Sequence, residues 1–338
     1  MRRTFAIPIL AVLLLLGLVA TLPMHAQMGG SSKGPKQPPP DPSIAYADNS
    51  GPWGSWRLMV MNADGTNKTA VTSKGDSLNP DWSPDARRLV FTHRPSRRDA
   101  QGIYLINLDG TGLCKLAELR GSSNNPVWSP IMVGGSEWII YVDYPLSGGN
   151  TDLFAVRADC GNPGDPVNLT NSPEGNDWYP SWSRFSNRVA AWGCHGECGV
   201  DIYDFSVVSG IPQLSNRTTL LEFGLFEGLS LGAPSWAKDI DRLVLPAYSP
   251  ATGTLDLWVT DFTVSGTHQL ILTPAPGGVA NPNWSPTGNE IVVYGSDAGA
   301  GIYKLTKQVN ADGTETWAST RLAGTGMLPK WRRCGPCS

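Results

Sequence analysis

A Pro-x-Trp tripeptide returns six times along the chain at nearly even intervals. The copies are Pro80-Asp81-Trp82, Pro126-Val127-Trp128, Pro180-Ser181-Trp182, Pro234-Ser235-Trp236, Pro282-Asn283-Trp284 and Pro329-Lys330-Trp331. A recurrence of this length marks one supersecondary unit that buries its apolar face against copies of itself. The neighbourhood of each copy repeats as well. Ser-Pro and a tight turn commonly follow the Trp, as at Ser83-Pro84-Asp85-Ala86 and Ser285-Pro286-Thr287-Gly288; Pro presets φ there and Ser bonds back to the turn backbone. Two β-rich runs come next, for example Leu89-Val90-Phe91 and Ile103-Tyr104-Leu105-Ile106. Asp-Gly turns at Asp64, Asp109 and Asp312 lead into a fourth strand. The 38 Gly and 28 Pro of the 338 residues keep turns frequent and long helices improbable.

The ends of the chain set the number of units. Trp331 is followed by too little chain for three more strands, while Ile44-Ala45-Tyr46-Ala47, Leu58-Met59-Val60-Met61 and Lys68 to Thr72 match second, third and fourth strands. The expectation is an all-β, six-bladed β-propeller of four-stranded antiparallel blades, closed by pairing of N-terminal strands with the C-terminal strand. Closure removes free sheet edges. Trp82, Trp128, Trp182, Trp236, Trp284 and Trp331 read as blade-to-blade anchors, because each keeps its place beside Pro.

The stretch Asn62-Ala63-Asp64-Gly65-Thr66-Asn67, continued by Leu78-Asn79-Pro80-Asp81-Trp82-Ser83-Pro84-Asp85 and Leu89-Val90-Phe91, resembles the WD-like repeat of TolB-type propellers. The resemblance covers residues from about 43 to 332 and implies a blade family, not a job. Similar blades occur in tricorn-type peptidases, prolyl peptidase propellers and oligogalacturonate lyases. Fold alone does not assign function.

Residues 1–26 read as an export signal: Arg2 and Arg3 precede an apolar run from Phe5 to Ala20, and Pro23-Met24-His25-Ala26 offers a cleavage site before Gln27. An uncleaved anchor is the alternative, with membrane contact only there. Residues 27–42, rich in Gly, Pro and Ser, read as a disordered tether. Residues 43–333 form the propeller, and 334–338 a Cys-containing tail. The location expected is periplasmic or secreted.

Several motifs tempt a catalytic reading. Gly228-Leu229-Ser230-Leu231-Gly232, with His268 downstream, spells a nucleophile elbow, but it runs into a blade strand where the elbow needs a strand-to-helix turn. Cys334-Gly335-Pro336-Cys337 matches the thioredoxin tetrapeptide without the helix that activates the thiol. In an exported chain a disulfide fits Cys334 and Cys337 better. Cys194-His195-Gly196-Glu197-Cys198 admits either zinc or a loop disulfide, and the disulfide is preferred because zinc draws ligands from two elements. Cys114 and Cys160 are candidates for a further bridge between neighbouring blades. The Asp-Gly segments lack the calcium-loop ladder and read as turns. No metal, cofactor or catalytic residue is assigned.

Propeller topology gathers on one face the loops leading into each innermost strand and those joining second to third strands. The candidate ligand-binding residues on that face are His93, Arg94, Arg97, Arg98, Tyr144, Trp178, Tyr179, His195, Glu227 and Tyr248. Arg with Tyr and Trp is a combination enriched at binding hot spots. A formal charge of -3 gives no electrostatic case for nucleic acid. The function expected is a monomeric, non-catalytic binding or scaffold module for a protein, peptide or cell-wall glycan in the envelope. The alternative is a hydrolase or polysaccharide lyase working at the channel mouth.

Overall fold

A computed structural model describes residues 43–51, 54–121, 124–145, 148–173, 175–184, 186–196, 198–220, 234–237, 242–249, 253–261, 268–271, 278–295 and 300–333. All of them fall in one compact unit, Pro35–Ser338. They form six antiparallel sheets of four strands, the blades of a propeller. Blade 1 joins β1 (Ile44–Asp48), β2 (Arg57–Met61) and β3 (Thr69–Ala70) to the last strand of the chain, β24 (Met327–Trp331). Blade 2 holds β4 (Asp76–Trp82), β5 (Arg88–Arg94), β6 (Gly102–Asn107) and β7 (Cys114–Glu118). Blade 3 holds β8 (Val127–Trp128), β9 (Trp138–Asp143), β10 (Asp152–Arg157) and β11 (Val167–Asn168). Blade 4 holds β12 (Asn176–Trp182), β13 (Arg188–Cys194), β14 (Cys198–Val208) and β15 (Ile211–Leu220). Blade 5 holds β16 (Ser235–Trp236), β17 (Arg242–Ser249), β18 (Thr254–Asp261) and β19 (His268–Ile271). Blade 6 holds β20 (Val279–Trp284), β21 (Glu290–Gly295), β22 (Gly301–Val309) and β23 (Glu315–Ala323).

Closure is made where the chain's two ends meet. β1 lies between β24 and β2, with Ile44 opposite Trp331 and Ala45 opposite Lys330. The Arg332 amide donates to the Ser43 carbonyl at 2.7 Å, and the Thr325 hydroxyl to the Asp48 carboxylate at 2.8 Å. Every residue of β1 is buried.

The six Trp are buried between sheets. Trp82 packs on Ala45, Leu58 and Val60 of blade 1 as well as on Leu89 and Phe91 of its own blade. Trp182 bridges Ile140 and Leu153 of blade 3 to Val189 and Tyr203 of blade 4. In three tripeptides the side chain of the middle residue adds a polar link. Asp81 accepts the Trp128 amide at 2.8 Å, Ser235 the Trp284 amide at 3.2 Å, and Asn283 the Trp331 amide at 2.8 Å. In the same direction the Trp82 indole donates to the Lys330 carbonyl and the Trp236 indole to the Ser181 carbonyl, both at 3.0 Å. Sequential blades are thereby stitched around the axis. At Trp82, Trp128 and Trp236 the indole also donates, to the Lys330 carbonyl, Glu137 Oε2 and the Ser181 carbonyl, so in these three the residue supplies both bulk and a donor.

The local chemistry follows the repeat. The Ser83 hydroxyl accepts the Arg88 amide at 2.9 Å and the Ser129 hydroxyl accepts the Trp138 amide at the same distance, so Ser after Trp closes the first hairpin of a blade. Asp64, Asp109 and Asp312 each accept from the Thr two residues on, through its amide and its hydroxyl. These are turn bonds. One regularity concerns the residue before each Pro. Asn79, Asn125, Tyr179, Asn281 and Leu328 all have positive φ, between 31° and 57°. Register shifts at Leu78/Asp81, Trp178/Ser181 and Ala280/Asn283 mark the accompanying bulges. The bulge turns the Pro edge of the innermost strand to the axis, where Asn79-Pro80, Asn125-Pro126, Asn281-Pro282 and Leu328 line one narrow cavity.

Disulfides join Cys114 to Cys160, across blades 2 and 3, and Cys194 to Cys198, across the β13–β14 turn. Cys334 and Cys337 lie outside the described residues, as do Glu227, Ser230 and residues 1–42.

Candidate functional site

The loop face of blades 1 and 2 carries an open groove of about 900 Å³. It is walled by the β1–β2 loop at Trp56, the β3–β4 loop at Lys74, the start of β4 at Asp76, and the β5–β6 loop at Arg94, Arg97 and Gln101. Backbone bonds fix the Trp56 wall: its amide donates to Asp76 Oδ1 at 3.1 Å and its carbonyl accepts from Ser77 at 2.9 Å. Gly75 is obligatory at the floor. Its φ is +71°, and a Cβ there would stand 2.4 Å from the Arg94 carbonyl oxygen. Asp76 is thus engaged by the Trp56 amide, whereas Lys74, Arg94 and Arg97 are exposed and form no ion pair among the described residues. The groove is cationic with an indole at its side.

The expected face residues divide. Arg94 and Arg97 line the groove together; Arg98 shares their loop, its amide held by Ser96 Oγ at 3.2 Å, but lies off the lining. His93 is buried beneath it, 3% exposed, rather than presented. Its Nδ1 sits 3.0 Å from Ser77 Oγ and 3.2 Å from the Asp76 carbonyl, and its ring packs on Phe91 and Tyr104. Burial lowers its pKa, partly countered by Asp76, so it stays a neutral packing residue. Tyr144 is exposed over blade 3, where its carbonyl accepts from Arg120 at 3.0 Å. Trp178 is half-buried between the cores on either side of blade 4, and Tyr179 occupies the bulge before Pro180, its φ of 51° a cost accepted for the turn. Tyr248 lies on β17 opposite Leu255.

His195 belongs to a second constellation on the same face. Its Nε2 stands 3.1 Å from Asp177 Oδ1 and 3.4 Å from Asp201 Oδ2. Both carboxylates are fully buried. Asp201 is further held by Arg217 Nε at 3.1 Å, the Thr219 hydroxyl at 2.5 Å and the Tyr203 hydroxyl at 3.3 Å. The Cys194–Cys198 bridge ties the turn that carries His195. Gly193 makes the approach feasible, since a Cβ there would fall 2.4 Å from Asp201 Oδ2. Burial pushes the Asp177 carboxyl above its usual range; His195 and a hydrogen bond from Thr170 oppose that push. One ligand atom from each of Asp177, His195 and Asp201 lies within 4.8 Å of the others, so the three could hold a metal ion. The contacts already present make a closed polar network: two buried carboxylates bonded to one imidazole and one guanidinium. Asp201 was not among the residues expected from sequence. Its signal is an acid between Val200 and Ile202, at the register position that Tyr104 fills in blade 2.

No family model matches the chain. Among solved structures, TolB from Acinetobacter baumannii superimposes with a TM-score of 0.63 at 19% identity, over 87% of this chain and 67% of that one. A TolB-related structure from Agrobacterium tumefaciens gives 0.52 at 18% identity, over 85% and 91%. The Tol-Pal system protein TolB of Geobacter sulfurreducens is 30% identical over 77 residues. The chain is a TolB-like propeller. The matched stretch is 23% of this chain and spans only 17% of the Geobacter protein's length. An uncharacterized protein of Agrobacterium fabrum is 22% identical over 212 residues, 62% of this chain and 68% of its own. In this TolB-like propeller the groove and the His195 network are thus features read from its own residues.

Proposed function

We propose that the chain is an exported, non-catalytic binding propeller that seats an acidic segment of an envelope protein or peptide in the groove of blades 1 and 2. The observation that carries this reading is the set of three cations, Lys74, Arg94 and Arg97, grouped beside Trp56 with no carboxylate among the described residues paired to them. Exposed cations on a rigid rim steer anionic partners and select them, and the indole adds contact area at low entropic cost. The likeness to TolB proteins, components of the Tol-Pal system by name, supports a binding module over an enzyme, and residues 1–26 support export.

The test uses labelled oligo-glutamate, a neutral Gly/Ser peptide and oligogalacturonate against the wild type and a Lys74→Ser, Arg94→Ser, Arg97→Ser variant. Exposed pairs contribute about 0.5 kcal/mol each, so losing three weakens oligo-glutamate binding roughly tenfold. The wild-type affinity falls with added salt. Equal binding by variant and wild type removes the groove as the seat. A stronger response to oligogalacturonate moves the partner to an acidic glycan.

A further inference from the structure

The floor of the axial channel has a charge imbalance that the binding face does not use. The middle residues of the six tripeptides, Asp81, Val127, Ser181, Ser235, Asn283 and Lys330, converge there. Arg184, from the turn after β12, reaches across to the Trp284 carbonyl at 2.5 Å, and Arg333, just past β24, bonds Asp81 Oδ2 at 2.7 Å and the Trp128 carbonyl. Asp81 Oδ2 also takes the Trp128 amide at 2.8 Å. One carboxylate therefore faces three cations.

Lys330 is the unmatched one. It is half-buried at the wall of both axial cavities, and among the described residues its ammonium makes no hydrogen bond or ion pair. Burial depresses its pKa; Asp81 opposes this, while Arg333 and Arg184 add to it. Buried like charges are costly without a counter-charge. A hydroxyl is also available: Ser235 Oγ accepts from the Trp284 amide at 3.2 Å and from Asn283 Nδ2 at 3.3 Å, which leaves its own proton to donate. The cavity bounded by these groups is about 20 Å³. That is room for one water-sized particle, too little for phosphate or a carboxylate side chain.

We propose that the channel floor binds a monatomic anion, chloride in solution, held by the Lys330 ammonium and the Ser235 hydroxyl within the field of Arg184 and Arg333. Binding to the folded state alone stabilises it in proportion to the logarithm of ligand concentration. The experiment follows melting of the full chain in sodium chloride, bromide and gluconate at constant ionic strength, and of the Lys330→Met and Ser235→Ala variants in the same series. The melting temperature rises by several degrees with chloride or bromide over gluconate in the wild type, and the halide dependence is lost in Lys330→Met. Crystals grown in bromide show an anomalous peak on the axis within hydrogen-bonding distance of Lys330 Nζ. Identical wild-type melting in halide and gluconate overturns the proposal, leaving a neutral Lys330 beside a water, and needs no variant to fold. If Lys330→Met does not fold, Ser235→Ala with a reduced halide response upholds the site, and an unchanged response removes Ser235 from it.

Discussion

Replacing Trp331 by Ala tests ring closure most directly. The side chain is 4% exposed and packs on Ile44 and Tyr46 of blade 1 and on Val292 and Ile302 of blade 6. These neighbours are far apart in the chain and meet only because β24 pairs with β1. Truncating a buried Trp costs about 3–5 kcal/mol, lost transfer energy plus the cavity left behind. At about 2 °C per kcal/mol for a domain this large, the melting temperature falls by roughly 6–10 °C. Trp236→Ala is the internal control. That residue is 1% exposed, sits mid-chain, and bridges Ala190 and Ile202 of blade 4 to Leu243 of blade 5. In a closed ring the two variants lose comparable stability, because every anchor has a blade on each side. In an open array the terminal anchor has one neighbour and costs about half. Calorimetry on both variants in one buffer decides. A Trp331→Ala loss of about half that of Trp236→Ala, roughly 3–5 °C or less, would refute closure.

Two further outcomes are expected. Burial pushes the Asp48 carboxyl up, but the Ser50 hydroxyl and amide, the Thr325 hydroxyl and Arg57 together hold it below the usual carboxylate range. A depressed folded-state pKa stabilises above the unfolded value and loses that contribution as pH falls through the folded one. Urea midpoints of wild type therefore drop more steeply on acidification below pH ~4 than those of Asp48→Asn, and parallel profiles contradict this role of the Thr325–Asp48 link. For the His195 network, EDTA leaves wild-type melting unchanged, and His195→Ala lowers stability by about 1–3 kcal/mol because the buried Asp177 carboxylate loses the imidazole it is bonded to. A zinc-dependent rise in melting that His195→Ala abolishes would convert the network into a metal centre.

Much of the fold was legible along the chain. Pro-x-Trp spacing sets the blade count, since Pro is tolerated only at an edge or bulge of a sheet and a large apolar ring repeated beside it must be buried. Asp-Gly turns and Ser-Pro turns are local chemistry and were read as such at Asp64, Asp109 and Ser83. The bridges Cys114–Cys160 and Cys194–Cys198 were both among the pairings considered. Arg94 and Arg97 were assigned to the groove face from loop order alone, because loop order determines which end of a blade a loop occupies. His93 was assigned there too, yet it points inward; it is the residue next to Arg94, and adjacent strand residues face opposite sides.

What one-dimensional order determined is the identity of the repeating unit and the face on which each loop emerges, because both depend on neighbours within a few residues. What the tertiary structure decided is which charges meet. Asp177 and Asp201 share His195 across three strands, and Lys330 meets Asp81, Arg184 and Arg333 at the axis although about 250 residues separate its tripeptide from that of Asp81. Electrostatic energy depends on distance and burial, and neither is set until strands pair within a blade, as around His195, or blades meet at the axis, as around Lys330.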